Sequence, residues 1–455
     1  MIRPILALSA VLLLAGCKMG PNYSRPAVPV PDQFHGTPAG TAPNSLADKK
    51  WFDLFQDDVL KQLVGTALEH NFDLGIASER VLEARAQYRI TRAESFPTID
   101  GSGSFTRLHA AGVTADSWSA SIGTTAYEVD FFGRVRSLNR QALEKYFATA
   151  EAKRSAQISL VAEVASQYFT LRQAEAQLEL AKQTLAAVQE SYALNKATFD
   201  AGGSSELDLR TAEGQVQTAK INVLSYNLAR AQAENYLTLL VGEPLPADLP
   251  APQPFAETNL VAEVPAGLPS ELVERRPDIL EAEHTLKAAN ANIGAARAAF
   301  FPLVQLTGSI GTTSTEFQKL FGAGTGVWSF SPQITLPIFT GGQNRADLDA
   351  AKIGTRIEVA NYQKAIETAF REVADALVGT QNYAEQLEAQ TQLIAAQQRR
   401  YELANLRYRQ GDDTYLNVLS AQQDLYSAQQ SQLATQLNKL TSEITLYKSL
   451  GGGWK

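Results

Sequence analysis

The sequence predicts a mixed α and β membrane protein with a two-fold internal repeat. Two similar halves are visible, because Phe96-Pro97 returns as Phe301-Pro302 and Phe199-x-x-Gly202 returns as Tyr408-x-x-Gly411. Each half places a pair of short alternating segments before a very long helical pattern. The chain also begins with an apolar export segment that ends at its single cysteine. Two similar halves of this kind favour an object built by rotation around an axis, such as a tube.

Composition restricts the class of protein. The chain has 455 residues, 45% of them hydrophobic, which is enough for a large core and excludes a disordered chain. Its formal net charge is -8, and the charges are scattered. Because no basic stripe can follow a phosphate backbone, we expect no nucleic-acid partner.

Residues 1-16 are predicted to be a secretory signal peptide. One basic residue, Arg3, precedes an apolar run that is too short to span a bilayer. The run ends in Leu14-Ala15-Gly16-Cys17, which resembles a bacterial lipobox. An ordinary signal with an incidental cysteine is the alternative, but a lone cysteine at this position is improbable by chance. We therefore expect a covalent lipid on Cys17, and no thiol left for a disulfide or a metal.

The mature chain is predicted to have four further parts and a short tail. Residues 17-50 hold six prolines and form a lipidated extended N-terminal segment. A first repeat covers 51-250, a linker covers 251-268, a second repeat covers 269-450, and 451-455 form the C-terminal tail.

In the first repeat a helical pattern runs from Trp51 to Phe96, where Pro97 ends it. A β-hairpin follows at 98-131, and its counterpart in the second repeat is expected at 303-338. The strands alternate apolar with hydroxyl side chains, as in Trp328 to Leu336. Such strands suit either a soluble sheet or a membrane barrel. The lipid signal, the flanking aromatic residues and the lack of a spanning helix favour the barrel.

Four strands per chain cannot close a barrel, since about eight strands are needed to enclose even a filled interior. Open sheet edges are not tolerated in lipid. The strands therefore predict an oligomer of two, three or four chains, and only the larger numbers leave a water-filled lumen.

Each hairpin precedes an unusually long helix, at about 136 to 199 and about 344 to 408, or roughly 90 to 100 Å at 1.5 Å per residue. The first ends at Gly202-Gly203 and the second at Gly411, where glycine permits a turn with positive φ. Returning helices are expected at about 205 to 241 and 414 to 449. A lipid-anchored periplasmic coiled-coil scaffold would also explain the helices, but it leaves the hairpins unexplained.

Several motifs together carry a family likeness. They are Cys17 to Pro26, Trp51-Phe52-x-Leu54-Phe55, Leu268 to Ile279, Ile293-Gly294-x-Ala296-Arg297 and Phe301-Pro302. The block Arg275-Arg276-Pro277-Asp278-Ile279 is the most specific. From Cys17 to about residue 450, the chain resembles the NodT-type lipoprotein branch of the TolC-like outer membrane factors.

The resemblance implies a homotrimer in the outer membrane of a Gram-negative bacterium. In such a trimer, four strands per chain contribute to a 12-stranded outer membrane β-barrel, which a long periplasmic α-helical barrel continues. It implies an exit duct for small molecules such as drugs, partnered by a periplasmic adaptor protein and an inner membrane efflux transporter, commonly of the resistance-nodulation-division class. A duct for type I protein secretion shares this architecture and is the closest alternative. Lys18, where an aspartate would signal inner-membrane retention, agrees with outer membrane sorting.

The resemblance also implies a gate at the periplasmic tip. Asp208 matches an acidic gate residue, Tyr408 its aromatic partner, and Leu416 an apolar constriction. Asn417 and Ser420 stand where many relatives have aspartates, so we expect a weaker cation preference. Two simpler interpretations stay open: Asp208 as a carboxylate that favours the start of a helix, and Tyr408 as packing at a helix end.

The turns between the long and returning helices are expected to form the tip that meets the adaptor. Its predicted residues are Gly202, Gly203, Ser204, Ser205, Gly411, Asp412 and Asp413.

Nothing in the sequence predicts an enzyme. The four histidines are scattered, and Glu281-x-x-His284 is the one pair with metal-ligand spacing; a di-iron bundle requires a second such motif. Gly322-x-Gly324-x-Gly326 lies between predicted strands, so it is expected to be a loop and not a phosphate cradle. We expect no metal and no cofactor apart from the lipid on Cys17.

Overall fold

The computed structural model describes residues 19–27, 50–246, 254–255, 258, 260 and 275–452. The predicted signal peptide 1-16, Cys17 and most of the 251-268 linker lie outside the described residues. In the first repeat the elements are α1 (Trp51–Leu54), α2 (Asp58–His70), α3 (Phe72–Ala93), β1 (Asp100–Ala110), β2 (Val113–Glu128), α4 (Arg134–Asp200) and α5 (Glu206–Val241). In the second they are α6 (Pro277–Ala298), β3 (Leu303–Ser314), β4 (Gly326–Thr335), α7 (Gln343–Gln410) and α8 (Tyr415–Ser449).

The four long helices α4, α5, α7 and α8 begin and end within two residues of the positions that the sequence predicts. Their interiors contain no proline, and their ends coincide with glycine turns or polar caps. The helical pattern between Trp51 and Phe96, in contrast, is divided into three helices.

Two polar side chains divide that pattern. Asp57 caps α2, because its carboxylate accepts hydrogen bonds from the backbone N–H groups of Val59 and Leu60. Asn71 separates α2 from α3. Its Oδ1 accepts a hydrogen bond from Leu74 N at 3.0 Å, and its Nδ2 donates one to Leu240 O at 2.9 Å. At each break, the side chain therefore accepts hydrogen bonds from backbone N–H groups at the start of the next helix, which have no partner within that helix.

The four strands form one antiparallel sheet in the order β1-β2-β3-β4. Strands β2 and β3, one from each repeat, are neighbours, with Ile122 opposite Ile310. The predicted alternation is confirmed by this register. One face carries apolar side chains that are largely exposed in the single chain, such as Trp328 and Ile334. The other carries hydroxyls that pair across strands, such as Ser104 with Ser119 at 2.8 Å.

The chain divides into two compact units, and each draws on both repeats. One unit comprises Glu79–Glu151, Ile279–Ala365 and the described N-terminal segment 19–27. The other comprises the described parts of Pro29–Ser78, Ala152–Asp278 and Ile366–Lys455. Contacts therefore do not follow the repeat boundaries, because the long helices α4 and α7 each contribute to both units.

The second unit has a continuous apolar core. Leucines and valines of α2, α4, α5 and α8 are nearly or fully buried in it, among them Leu60, Val164, Leu237 and Leu440. Burying one such side chain contributes about 1.5–3 kcal/mol. Asp57 reaches this core from the start of α2, because the Tyr168 hydroxyl donates to its Oδ2 at 2.6 Å.

The first unit holds the described N-terminal segment against α6. Both Tyr23 and Arg25 donate hydrogen bonds to the Glu283 carboxylate, at 3.0 Å for the tyrosine and 2.8 Å for Arg25 Nη2. Gly20 lies so close to Gly294 that a Cβ on Gly294 would stand 3.0 Å from Gly20 Cα. The segment is therefore fixed by an ion pair and a close backbone contact.

Among the described residues, no helix is both long enough and apolar enough to cross a membrane.

Candidate functional site at the helical hairpin turns

Glycine sets both turns between the long and returning helices. Gly202 has φ 74 and Gly411 has φ 82, a region that disfavours other side chains. The backbone N–H of Gly203 donates to Thr198 O at 2.8 Å, and that of Asp412 donates to Arg407 O at 2.9 Å. These bonds satisfy the last carbonyls of α4 and α7. The two repeats thus turn by the same mechanism.

Asp208 forms the start of α5. Its backbone N–H donates to Ser205 Oγ at 3.1 Å, and its carboxylate accepts from the Ser205 backbone N–H at 3.4 Å, which is a capping box. The capping box is the contact that the simpler interpretation of Asp208, a carboxylate that favours a helix start, requires. Capping leaves the negative charge in place, so it does not exclude a second role.

The second turn uses its acidic side chains differently. Asp413 accepts hydrogen bonds from Asn417 Nδ2 at 2.6 Å and from Thr414 N at 2.8 Å, and these bonds lower the pKa of Asp413. Arg407 lies 3.7 Å from the Asp413 carboxylate. Asn417 stands six residues after its turn glycine, as Asp208 does in the first repeat. The Asn417 amide therefore binds the Asp413 carboxylate, whereas the equivalent position of the first repeat is itself a carboxylate, Asp208.

Tyr408 connects the two helical hairpins. Its hydroxyl donates to Asn195 Oδ1 at 2.9 Å, and the Asn195 amide group donates to Ser191 O at 3.0 Å. Asn195 is fully buried, and the Tyr408 ring lies 5.6 Å from the Tyr415 ring. Burial, and next the charge of Asp208, raise the pKa of Tyr408; burial raises the pKa of Tyr415 to about 12. Both phenols are therefore neutral donors at physiological pH.

Two arginines add ion pairs near the turns. Arg409 of α7 lies 3.7 Å from Glu190 of α4. Arg400 of α7 pairs with Asp424 of α8 and also donates to Ser420 Oγ at 3.3 Å. Ser420 therefore lies beside a cation and its partner carboxylate.

A cavity of about 1040 Å³ lies between the two hairpins. The predicted residues that line it are Gly203, Ser204, Asp208, Tyr408, Gly411 and Asp413. Leu416 is 65% exposed and lies outside the lining, as do Asn417 and Ser420. The structure therefore brings Asp208 and Tyr408 to one cavity and leaves Leu416 at the surface of the single chain.

Sequence reasoning missed Asn195, Glu190, Arg400 and Asp424. Each acts through a partner on another helix, and no local spacing marks such a pair. The one available signal was an asparagine in the interior of a long helix, a position where an amide usually has a specific partner.

In the Glu281-x-x-His284 pair, the histidine contacts a carboxylate of another helix. His284 Nδ1 lies 2.7 Å from Glu144 Oε2 of α4. No group of three potential metal ligands occurs within the parts of the chain that the structure describes.

Comparison with known proteins identifies the family. The profile of the Outer membrane efflux protein family matches residues 63–243 and 268–452. The chain is 46% identical over 468 residues to "Probable efflux pump outer membrane protein TtgC" of Pseudomonas putida, covering 100% of this chain and 96% of the relative. It is 40% identical to "Cation efflux system protein CusC" of Escherichia coli, over 99% of each chain.

Among solved structures, the open state of the Neisseria gonorrhoeae MtrE outer membrane channel superposes with a TM-score of 0.90 at 39% identity, over 96% of this chain and 99% of that one. The fold class and the family resemblance predicted from the sequence are both confirmed. On the match to the family profile, and on relatives of this identity and coverage, the chain belongs to the outer membrane efflux protein family.

Proposed function

We propose that this chain is the outer membrane channel of a tripartite efflux system. Three copies form a passive exit duct for small molecules, joined to a periplasmic adaptor protein and an inner membrane transporter. The family match carries the efflux assignment, and relatives of the chain are named as components of solvent, antibiotic and cation efflux systems. These names favour efflux over type I secretion and over a lipid-anchored scaffold.

The sheet supports the assembly. It has four strands, an exposed apolar face and a hydroxyl face. Turned to lipid and to a lumen respectively, these faces fit a barrel wall. Strands β1 and β4 end the sheet of one chain, so closure requires neighbouring copies, and three copies supply twelve strands.

The N-terminus supports a lipid anchor at Cys17. The described segment that begins two residues later is held on α6 by Glu283. A lipid on Cys17 would therefore be joined to the folded unit by a short, held segment.

We infer that the tip closes through contacts between the two hairpins. Tyr408 to Asn195 and Arg409 to Glu190 join α7 to α4, and we expect these contacts to break on opening. We expect Asp208 and Leu416 to add a charge and an apolar side chain near the trimer axis. Since Asn417 and Ser420 carry no charge, the closed tip should show a weak cation preference.

The adaptor is expected to meet the turns. Ser204, Ser205, Asp412 and Asp413 surround glycines whose backbone conformation fixes their shape. Short polar residues on rigid turns offer hydrogen bonds with little ordering cost.

Conductance of the purified channel in planar bilayers tests the gate. We expect Tyr408→Phe and Leu416→Ala to raise the closed-state conductance several-fold. Asp208→Asn removes the charge and keeps a capping side chain, whereas Ser205→Ala removes the cap and keeps the charge.

A gate that acts through charge responds to Asp208→Asn and not to Ser205→Ala. If Asp208→Ala and Leu416→Ala both left the closed-state conductance unchanged, these side chains would not be gate residues.

A further inference from the structure

A cavity of about 430 Å³ lies beside the docked N-terminal segment, in the unit that contains the sheet. Ten residues line it: Gly20, Pro21, Tyr23, Gly133, Arg136, Ser137, Arg140, Lys287, Asn290 and Ala291. Among these ten, the charged side chains are three cations, Arg136, Arg140 and Lys287. The cavity wall therefore combines small or apolar residues with positive charge.

Each cation has a carboxylate partner, and the two arginines keep spare donors. Arg136 donates to Asp130 Oδ2 at 3.2 Å, and Arg140 pairs with Glu144 at 2.6 Å. A guanidinium carries five N–H donors, so both arginines keep donors for a further acceptor. Their side chains are also 54% and 63% exposed, which leaves them accessible.

Lys287 belongs to a cluster with an excess of positive charge. It lies 3.1 Å from Glu283, which already accepts hydrogen bonds from Arg25 and Tyr23. Glu283 thus pairs with two cations, Arg25 and Lys287, which leaves one excess positive charge beside the cavity. The ammonium of Lys287 also lies 5.3 Å from the centre of the Tyr23 ring, which fixes its position.

The cavity lies just beyond the end of the sheet along the chain, where we expect the lipid head groups. Arg136 and Arg140 are in the first two turns of α4, which begins six residues after β2 ends at Glu128. The ring of Phe132, just before α4, stacks 4.8 Å from that of Phe301, just before β3, and girdles of aromatic residues flank the apolar band of membrane barrels. We expect the hydrocarbon to end near the end of the sheet, because irregular backbone exposed to lipid is not stable.

We propose that this cavity binds the head group of an anionic phospholipid from the leaflet on the helix side of the sheet. Arg136, Arg140 and Lys287 are the phosphate ligands. The small residues Gly20, Gly133 and Ala291 leave room for the glycerol. The proposal rests on the outer membrane location and on no statement about the gate or the cargo.

Binding couples the lipid to the N-terminal segment. Gly20, Pro21 and Tyr23 form one wall of the cavity, so an occupied site also holds this segment. The lipid would thereby fix the height of the barrel in the membrane and the point at which the N-terminus leaves the bilayer.

Native mass spectrometry of the full-length acylated protein tests the proposal. The protein is reconstituted in nanodiscs of phosphatidylcholine alone or mixed equally with phosphatidylglycerol, and the retained lipids are counted. We expect about one phosphatidylglycerol per chain to be retained and no phosphatidylcholine. The double variant Arg136→Gln, Arg140→Gln should lower this retention at least tenfold, because it removes the bidentate donors.

The matched control is Arg210→Gln, Arg371→Gln. These arginines are also exposed, and each also pairs with a nearby carboxylate, at Glu206 and Glu213 for Arg210 and at Asp375 for Arg371. The control should retain the lipid like the unaltered protein. A second variant, Ala291→Met, fills the cavity without changing its charge and should also lower retention.

Circular dichroism confirms that each variant is folded. Equal retention of both lipids, or unchanged retention in both cavity variants, would overturn the proposal. A separate arm adds inorganic phosphate: if phosphate displaces phosphatidylglycerol at equal concentration, the site recognises free phosphate and the assignment to a lipid is wrong.

Discussion

Glu443 is a buried carboxyl group in the second compact unit. It lies near the end of α8, is 3% exposed, and its Oε2 has no hydrogen-bond partner among the described residues. Lys439 lies 3.7 Å away, one turn earlier. Burial raises the pKa of Glu443 to about 7, and the contacts with Lys439 and the Leu260 backbone oppose this only in part.

Replacing Glu443 by Gln should stabilise the protein in a pH-dependent way. Because folding raises the pKa of Glu443, the protein loses stability as the pH increases from 4.5 to about 7. At pH 8 the variant should therefore gain up to about 3 kcal/mol in the free energy of unfolding, and less at pH 5. Thermal unfolding in detergent at the two pH values measures this gain.

The control for Glu443 is Glu234→Gln, which alters an exposed carboxylate paired with Arg230. It should change stability slightly and equally at both pH values. An equal gain for Glu443→Gln at pH 5 and pH 8 would contradict a raised pKa.

Glu283 should control the N-terminal segment. Burial raises its pKa, but hydrogen bonds from Arg25 and Lys287 outweigh burial and lower the pKa overall. The stabilisation is therefore present above the ordinary value of 4.5 and is lost as the pH falls below it. Hydrogen exchange of residues 19–27 should show protection at pH 7 that Glu283→Gln reduces about tenfold or more, because a charged hydrogen bond contributes roughly 1.5–3 kcal/mol.

An exposed glutamate of α7 supplies the comparison, since Glu367→Gln should leave exchange in this segment unchanged. Full protection in Glu283→Gln at pH 7 would show that other contacts hold the segment.

At the scale of elements, the junction between β2 and β3 joins the two repeats. A Cβ on Gly311 would overlap the backbone oxygen of Ala120, and a Cβ on Gly123 would overlap that of Gly308. These glycines lie on either side of the Ile122 and Ile310 pair. Glycine here permits a strand approach that any larger residue prevents.

Gly311→Ala should therefore weaken the pairing of the two repeats in the sheet. We expect the yield of folded oligomer in the outer membrane to fall several-fold, measured by heat-modifiable mobility on gels. Gly103→Ala is the control, because a Cβ there lies 3.9 Å from its nearest atom. Equal yields of the two variants would contradict the steric role of Gly311.

The elements also show what the sequence could predict. The long helices were predictable because an uninterrupted apolar pattern ends at Gly202 and Gly411. The breaks at Asp57 and Asn71 were missed, although both side chains cap the following helix through local hydrogen bonds. Only their further hydrogen bonds, to Tyr168 and to Leu240, join residues more than a hundred positions apart and could not be predicted. Asn195 was likewise missed from the predicted gate, because its partner Tyr408 is also distant in the sequence.

At the scale of the whole molecule, the repeat predicted two hairpins, and the structure joins them in one sheet. Sequence periodicity could not predict that each compact unit takes residues from both repeats, because that depends on helices long enough to enter both units. Nor could four strands alone choose between two, three and four copies. The family resemblance made that choice.

Electron microscopy of the full-length acylated protein in nanodiscs tests the central claim most directly. We predict a hollow particle with three-fold symmetry, in which each chain contributes its four strands to one closed twelve-stranded barrel. A monomeric particle, a different symmetry, or a sheet whose edge strands β1 and β4 remain unpaired in the membrane would contradict the proposed duct.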